Sequence, residues 1–217
     1  MTKTFTQLYE EFVIPMEGRQ CAMDNIAFPG DIYLFGIWSG VSTKLISDYL
    51  NEEQIPYDNM WGFDSFIGLP EEDVRLRHRE HTIGKYSSVE LYRKSIAETM
   101  RIIEEGVANP KLTLIPGFYE KVLDTELIYT ENLGVASFID IDVDLHSSTL
   151  EVLEFMFANG LVATGTTVYF DDWGATPEYK GGESLAWKLM TEKYNIRYEM
   201  IHTSGEMPCV VKVFKIL

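Results

Sequence analysis

The chain has 217 residues, a formal net charge of −16 and 46% hydrophobic residues. That length suits one compact domain, and that apolar share supplies a core, which argues against a disordered chain. The acidic balance argues against binding nucleic-acid phosphates or anionic membranes, and two cysteines far apart, Cys21 and Cys209, suggest neither a disulfide framework nor a zinc site.

Residues 1–29 mix aromatic and charged positions and predict one or two short helices, read as an N-terminal helical lid segment ahead of a domain covering 30–217. The opening stretch MTKTFTQLYEEF is too polar for a signal peptide, and no apolar run reaches membrane-spanning length, so a cytoplasmic protein is the expectation. DIYLFGI, 31–37, predicts a buried strand ending at Gly36. Gly40 opens a helix whose Val41, Leu45, Ile46, Tyr49 and Leu50 share a face. NMWGFD, 59–64, predicts the second strand. Residues 71–86 form a long polar excursion with a basic run, Arg75, Arg77, His78, Arg79 and His81. Long excursions of this kind are often lids, and the alternative is a solvated loop.

Ser87 with Glu90 makes a capping-box pattern for one helix running to about residue 105. KLTLIPG, 111–117, predicts the third strand and VASFIDIDV, 135–143, the fourth. Ser148 with Glu151 is a second capping-box pattern, opening the helix STLEVLEFMFAN, which stops at Asn159 and Gly160. TTVYFDD, 166–172, predicts the fifth strand. Gly181 and Gly182 precede the helix ESLAWKLMTEKY. RYEMIHT and CVVKVFKI leave no room for a helix between them and predict an antiparallel hairpin. Alternating strands and helices predict a seven-stranded, mostly parallel α/β sheet of Rossmann-like type, with helices on both faces and that hairpin at the end. In such sheets ligands sit beyond the C-terminal strand ends. Chemistry is therefore expected just after residues 37, 64, 117, 140 and 170.

Three motifs fall at those places. In LFGIWSGVSTK, 34–44, a strand enters a glycine turn and leaves as a helix. Glycines allow close backbone approach to a ligand, and the helix start offers free N–H groups. The spacing is that of neither a Walker loop nor a dinucleotide fingerprint. Taken alone, the stretch is equally a structural tight turn. Asp64, at the end of the second strand, can accept both hydrogen bonds of a ribose diol, or it can cap a turn. Asp140, Asp142 and Asp144 alternate in FIDIDVD, so an extended chain points all three one way. Asp171 and Asp172 end the neighbouring strand. Four or five carboxylates converging there repel unless a cation neutralises them. Hard oxygen donors favour magnesium, calcium or manganese over zinc. His146 and Trp173, next to these acids, either face a substrate or pack in the core.

These stretches resemble the macrocin O-methyltransferase family, class I S-adenosylmethionine-dependent enzymes that methylate sugar and related hydroxyls in natural-product pathways. The similar segments are LFGIWSGVST, GFDSFIGLPE, GKYSSVELYRKSI, LIPGFYEKVL, DIDVDLHSSTLEVLEF and YFDDWGA, in the family's order. The resemblance implies S-adenosylmethionine held by Phe35, Gly36, Ile37, Gly40, Ser42 and Thr43 of the glycine turn, by Asp64 and Ser65, and by Gly117 and Phe118 near the adenine. It implies Asp142, Asp171 and Asp172 as ligands of Mg2+ or another divalent cation, and Asp144 as the general base. Asp140 then falls to the cofactor side, although a shifted register would make it a metal ligand. Leu34 stands where the family has an acid, and His146 where it has a tyrosine. The acceptor implied is a small hydroxylated molecule, and a homo-oligomer is compatible with the pattern. A D-x-D glycosyltransferase or phosphohydrolase accounts poorly for the glycine turn together with Asp64. A non-catalytic cofactor-binding protein of the same fold is the other alternative.

Overall fold

The structure, a computed structural model, describes residues 3–76, 78–174, 182–203 and 209–216. Two short helices, α1 (Phe5–Glu11) and α2 (Glu17–Asp24), precede β1 (Asp31–Phe35), α3 (Val41–Glu52) and β2 (Met60–Asp64). Then come α4 (Ser88–Tyr92), α5 (Ile96–Val107), β3 (Leu112–Pro116), α6 (Tyr119–Val122), α7 (Thr125–Glu131) and β4 (Ala136–Ile141). The chain continues with α8 (His146–Ala158), β5 (Val162–Phe170), α9 (Glu183–Lys193) and the hairpin β6 (Ile196–Thr203) and β7 (Cys209–Ile216).

The seven strands form one sheet in the order β3-β2-β1-β4-β5-β7-β6. The first five are parallel, and β7 runs antiparallel to both β5 and β6. This is the mixed Rossmann-like sheet expected from the strand-helix alternation and the closing hairpin. The order reverses at β1, which places a crevice between the β1 and β4 ends.

The central strands are buried on both faces, as crossover helices on each side require. Tyr33, Phe35, Phe63, Ile139 and Phe170 face one cluster, under α8 and α9. Ile32, Leu34, Met60, Phe138 and Tyr169 face the other, under α1, α2, α3 and α5. Phe5, Leu8, Ala22 and Met23 belong to that second cluster, so both N-terminal helices are packed into the core. At the far end of the sheet, buried Asp31 accepts from the Asn59 amide, the Trp61 indole at 2.8 Å and the Gly134 amide at 2.7 Å, tying three chain segments together.

Several boundaries differ from those the sequence predicts. The helix expected from Ser87 to about 105 is two helices. Ser87 does accept from the Glu90 amide, but Arg93 turns left-handed at φ 53°, and Ser95 with Glu98 forms a second, reciprocal capping box for α5. The helix expected from Ser148 begins at His146, after Leu145 and with no side-chain cap, so Ser148 lies within its first turn instead of capping it. Helices α6 and α7 are short, and the sequence reading placed no element there. Arg77 and Gly181 lie outside the described residues. Among those described, no helix is long and apolar enough to cross a membrane.

Candidate functional site

A cavity of about 860 Å3 opens at the C-terminal ends of β1, β2, β3, β4 and β5, where the topology predicts a ligand. Its size is that of a site for small molecules.

One end is the glycine turn. Gly36 has φ 92°, and a Cβ there would lie 1.8 Å from the carbonyl oxygen of Asp142. Only glycine lets the β1 end and the β4 end approach this closely. Asp64 holds the turn open. Its Oδ2 accepts from the Ile37 amide at 2.8 Å and the Trp38 amide at 2.9 Å, and its Oδ1 accepts from the Phe66 amide at 2.6 Å. Burial pushes the Asp64 carboxyl up, and the amides of Trp38, Phe66 and Ile37 pull against that shift. Of the residues expected to hold the cofactor, Gly36, Ile37, Ser42, Asp64, Ser65, Gly117 and Phe118 line the cavity. Phe35 instead stacks on Phe63 at 4.9 Å in the core. Gly40 starts α3 beside Ile103 and Phe5, and Thr43 is buried within that helix.

The other end is acidic, and its organisation departs from an unbroken row of aspartates. β4 ends at Ile141, and Asp142 continues its ladder, its amide donating a hydrogen bond to the Phe35 carbonyl. Asp144 then turns left-handed at φ 62°, which ends the alternation of side chains that an extended chain would give. A buried guanidinium enters this cluster from α2. Arg19 Nε donates to both oxygens of Asp140 at 3.1 Å, and another of its nitrogens donates to Asp142 Oδ2 at 2.9 Å. Its third nitrogen lies 3.3 Å from Asp171 Oδ1, which also accepts from the Tyr169 hydroxyl at 2.7 Å. Burial opposes the Arg19 charge, but Asp140 and Asp142 outweigh it and raise its pKa. Asp140 is pushed up to about 6, burial exceeding the pull of Arg19.

The remaining two aspartates face another partner. His81, in the polar excursion, places Nε2 3.3 Å from Asp144 Oδ1. Donor atoms of His81, Asp144 and Asp172 all lie within 4.8 Å of one another. That is the one group of three such donors among the described residues. The trio Asp142, Asp171 and Asp172 does not form such a group among the described residues, and one oxygen each of Asp142 and Asp171 faces Arg19. With Arg19 on one oxygen of each, Asp142 and Asp171 already share a cationic partner. Burial, then Asp172, pushes Asp144 well above the ordinary carboxylate range. Glu183 supports Asp172 from below, accepting its amide at 2.9 Å, and is itself pushed well up by burial.

The excursion folds back over the cavity. The Leu69 amide donates to the Lys85 carbonyl at 2.9 Å, and the Gly84 amide donates to the Leu69 carbonyl at 2.9 Å. His81, Ile83, Lys85 and Tyr86 reach the cavity wall. Tyr86 packs edge-on against both Trp38 and His81. Arg75 turns outward onto Asp73 and is exposed. His146 does not line the cavity; its Nδ1 lies 3.0 Å from the Gly182 carbonyl, at the start of α9. Trp173 packs on Phe170 at 4.9 Å. Both cysteines are free thiols, and Cys209 is buried. Sequence reasoning missed Arg19. Its only signal is that Arg19, Ala22 and Met23 share one helical face that turns out to be buried.

A family profile described as macrocin-O-methyltransferase (TylF) matches residues 17–204. A relative from Streptomyces olivaceus, 8-demethyl-8-(2,3-dimethoxy-alpha-L-rhamnosyl)-tetracenomycin-C 4'-O-methyltransferase, is 25% identical over 166 residues, which is 70% of this chain. The chain spans 59% of that relative's length. Among solved structures, the O-methyltransferase NovP is similar with a TM-score of 0.69 and 19% identity, over 92% of this chain and 79% of NovP. The calicheamicin methyltransferase CalS11 is similar with a TM-score of 0.64 and 19% identity, over 96% of this chain and 89% of CalS11. At that identity these two likenesses speak to the fold.

Proposed function

This chain belongs to the macrocin O-methyltransferase family, and on that premise we propose that it moves a methyl group from S-adenosylmethionine to a hydroxyl of a sugar carried by a natural product. The observation that carries the reading is the shape of the cavity, which runs from the Gly36–Asp64 turn to the acidic cluster without interruption. The turn end is made of backbone and one carboxylate, suited to a nucleoside and its amino-acid tail. Phe118 and Tyr119, on the wall after β3, supply apolar surface for an adenine. The acceptor belongs at the other end, under Tyr86 and Lys85 of the excursion. The stretch Val13–Pro15 between α1 and α2 rims the same opening, so this connector and the excursion together form the lid.

The reaction needs little from the protein beyond alignment and one proton transfer. Asp144, on the cavity wall, takes the proton of the acceptor hydroxyl. An oxygen lone pair then forms the new O–CH3 bond as the S–CH3 bond breaks, and the sulfur keeps that electron pair, leaving S-adenosylhomocysteine. A divalent cation at the acidic end would polarise the acceptor oxygen.

Incubation with methyl-labelled S-adenosylmethionine and rhamnosylated aromatic polyketides, read by mass spectrometry, should give products heavier by one methyl group. Calorimetric titration with S-adenosylhomocysteine should show binding. Binding of NAD with none of S-adenosylhomocysteine would sink the reading.

A further inference from the structure

We propose that the divalent cation of this chain sits on His81, Asp144 and Asp172, and that Arg19 takes the cation's place between Asp142 and Asp171. The position of this ion rests on geometry within the site, and only its catalytic use rests on the methyl-transfer reading.

The spacing fits an ion. Two ligand atoms about 2.1 Å from a metal and at right angles to each other lie about 3.0 Å apart, and about 3.4 Å apart at a tetrahedral angle. His81 Nε2 and Asp144 Oδ1 are 3.3 Å apart. An oxygen of Asp172 lies within 4.8 Å of both. The three donors come from separate segments: the excursion, the turn after β4 and the end of β5. Each is held. His81 rests against Tyr86, whose ring rests against Trp38. The Asp172 amide is fixed by Glu183, and Gly182 anchors His146 two residues past Asp144.

Charge asks for an ion here as well. Asp140, Asp142 and Asp171 have Arg19 among them. Beside Asp172 stands Glu183, which accepts the Asp172 amide and whose Oε1 is fully buried with no hydrogen-bond partner among the described residues. Unneutralised carboxyls in a confined space are costly, and a dication offsets them directly. Because Arg19 already bonds the inner oxygens of Asp142 and Asp171, an ion placed between those two would have to displace a buried guanidinium. One oxygen of Asp144 suffices to ligate, so its other oxygen keeps access to the acceptor proton.

An imidazole in the ligand set changes the metal. All-oxygen sets suit magnesium, whereas imidazole with carboxylates suits first-row ions such as manganese, iron or zinc. The expectation is therefore Mn2+ binding well ahead of Mg2+.

The test is Mn2+ added to the full chain, with the bound ion read by electron spin-echo modulation, which registers nitrogen attached to manganese. One ion per chain with imidazole nitrogen modulation is expected. His81→Gln should abolish the modulation and weaken binding about 10-fold or more, while Asp142→Asn keeps the modulation. No bound ion, a bound ion without nitrogen, or modulation that survives His81→Gln each overturns the assignment. Loss of the ion in Asp142→Asn with His81→Gln unaffected overturns it in favour of the Asp142, Asp171 and Asp172 set. The spectrum of the unsubstituted chain decides the nitrogen question even if a variant folds poorly. S-adenosylhomocysteine titration on the same protein separates the two readings: its failure removes methyl transfer and leaves the nitrogen result standing.

Discussion

At the glycine-turn end of the cavity, one carboxylate, Asp64, serves three backbone amides. At the other end, five carboxylates, Asp140, Asp142, Asp144, Asp171 and Asp172, gather around one buried guanidinium and one imidazole. The first end is locally complete: each Asp64 oxygen has partners, and the segment joining β1 to α3 is fixed before any ligand arrives. The second end is over-supplied with negative charge and depends on a group delivered from α2, far away in sequence. The difference separates a pre-built cradle, which asks a ligand only for shape and hydrogen bonds, from a charge trap, which asks for a cation. The two meet at Gly36, where the β1 turn touches the Asp142 carbonyl.

The largest test of this contrast is Arg19→Ala. Removing a buried cation leaves Asp140 and its neighbours uncompensated, and losses of this kind run to about 3–5 kcal/mol. Urea denaturation in the presence of a chelator should show it. A loss below about 1 kcal/mol would mean that the acidic end does not rely on Arg19. Asp64→Ala should cost less, about 1–3 kcal/mol, because two of the three freed amides, those of Ile37 and Trp38, belong to residues that line the cavity. Its larger consequence should be for the cofactor, with S-adenosylhomocysteine bound about 10-fold or more weakly, while Mn2+ affinity stays within about 3-fold of the parent chain. If Asp64→Ala weakens Mn2+ as much as it weakens the cofactor, the two ends are not separate devices.

The contrast also explains what the sequence disclosed. The sheet was legible because β1, β2, β4 and β5 are short apolar runs that end in glycine or aspartate, and the hairpin because no helix fits between its strands. The glycine turn and Asp64 were legible because each stands at the end of a predicted strand, although the bonds from Asp64 to the Ile37 and Trp38 amides reach back into the preceding strand-helix unit. Helices α6 and α7 were not, since each is at most seven residues long and has no fully buried side chain to give it a period. The acidic cluster was visible as a row of aspartates, but not the way it divides. That division depends on the left-handed turn at Asp144, on Arg19 arriving from α2 and on His81 arriving from the excursion. All three are long-range facts, which spacing along the chain does not carry.

The smallest effect expected is on the pH dependence of stability, and Asp140 isolates it. Its folded pKa stands at about 6 because burial outweighs the attraction of Arg19, whereas in the unfolded chain an aspartate titrates near about 3.9. Between those two values the folded chain binds more protons than the unfolded one, so this residue's contribution to stability falls as pH rises through the window. It is full below pH about 4 and gone above pH about 6. The difference in unfolding free energy between the parent chain and Asp140→Asn, measured in chelator, should therefore decline from pH 4 to 6 and level off beyond. The opposite slope, a difference that grows with pH, would make Asp140 an ordinary ion-paired carboxylate with a depressed pKa. Arg19 would then fully neutralise its side of the cluster. That outcome would leave the charge excess confined to Asp144, Asp172 and Glu183, and the imbalance between the two ends of the cavity would rest on the His81 side alone.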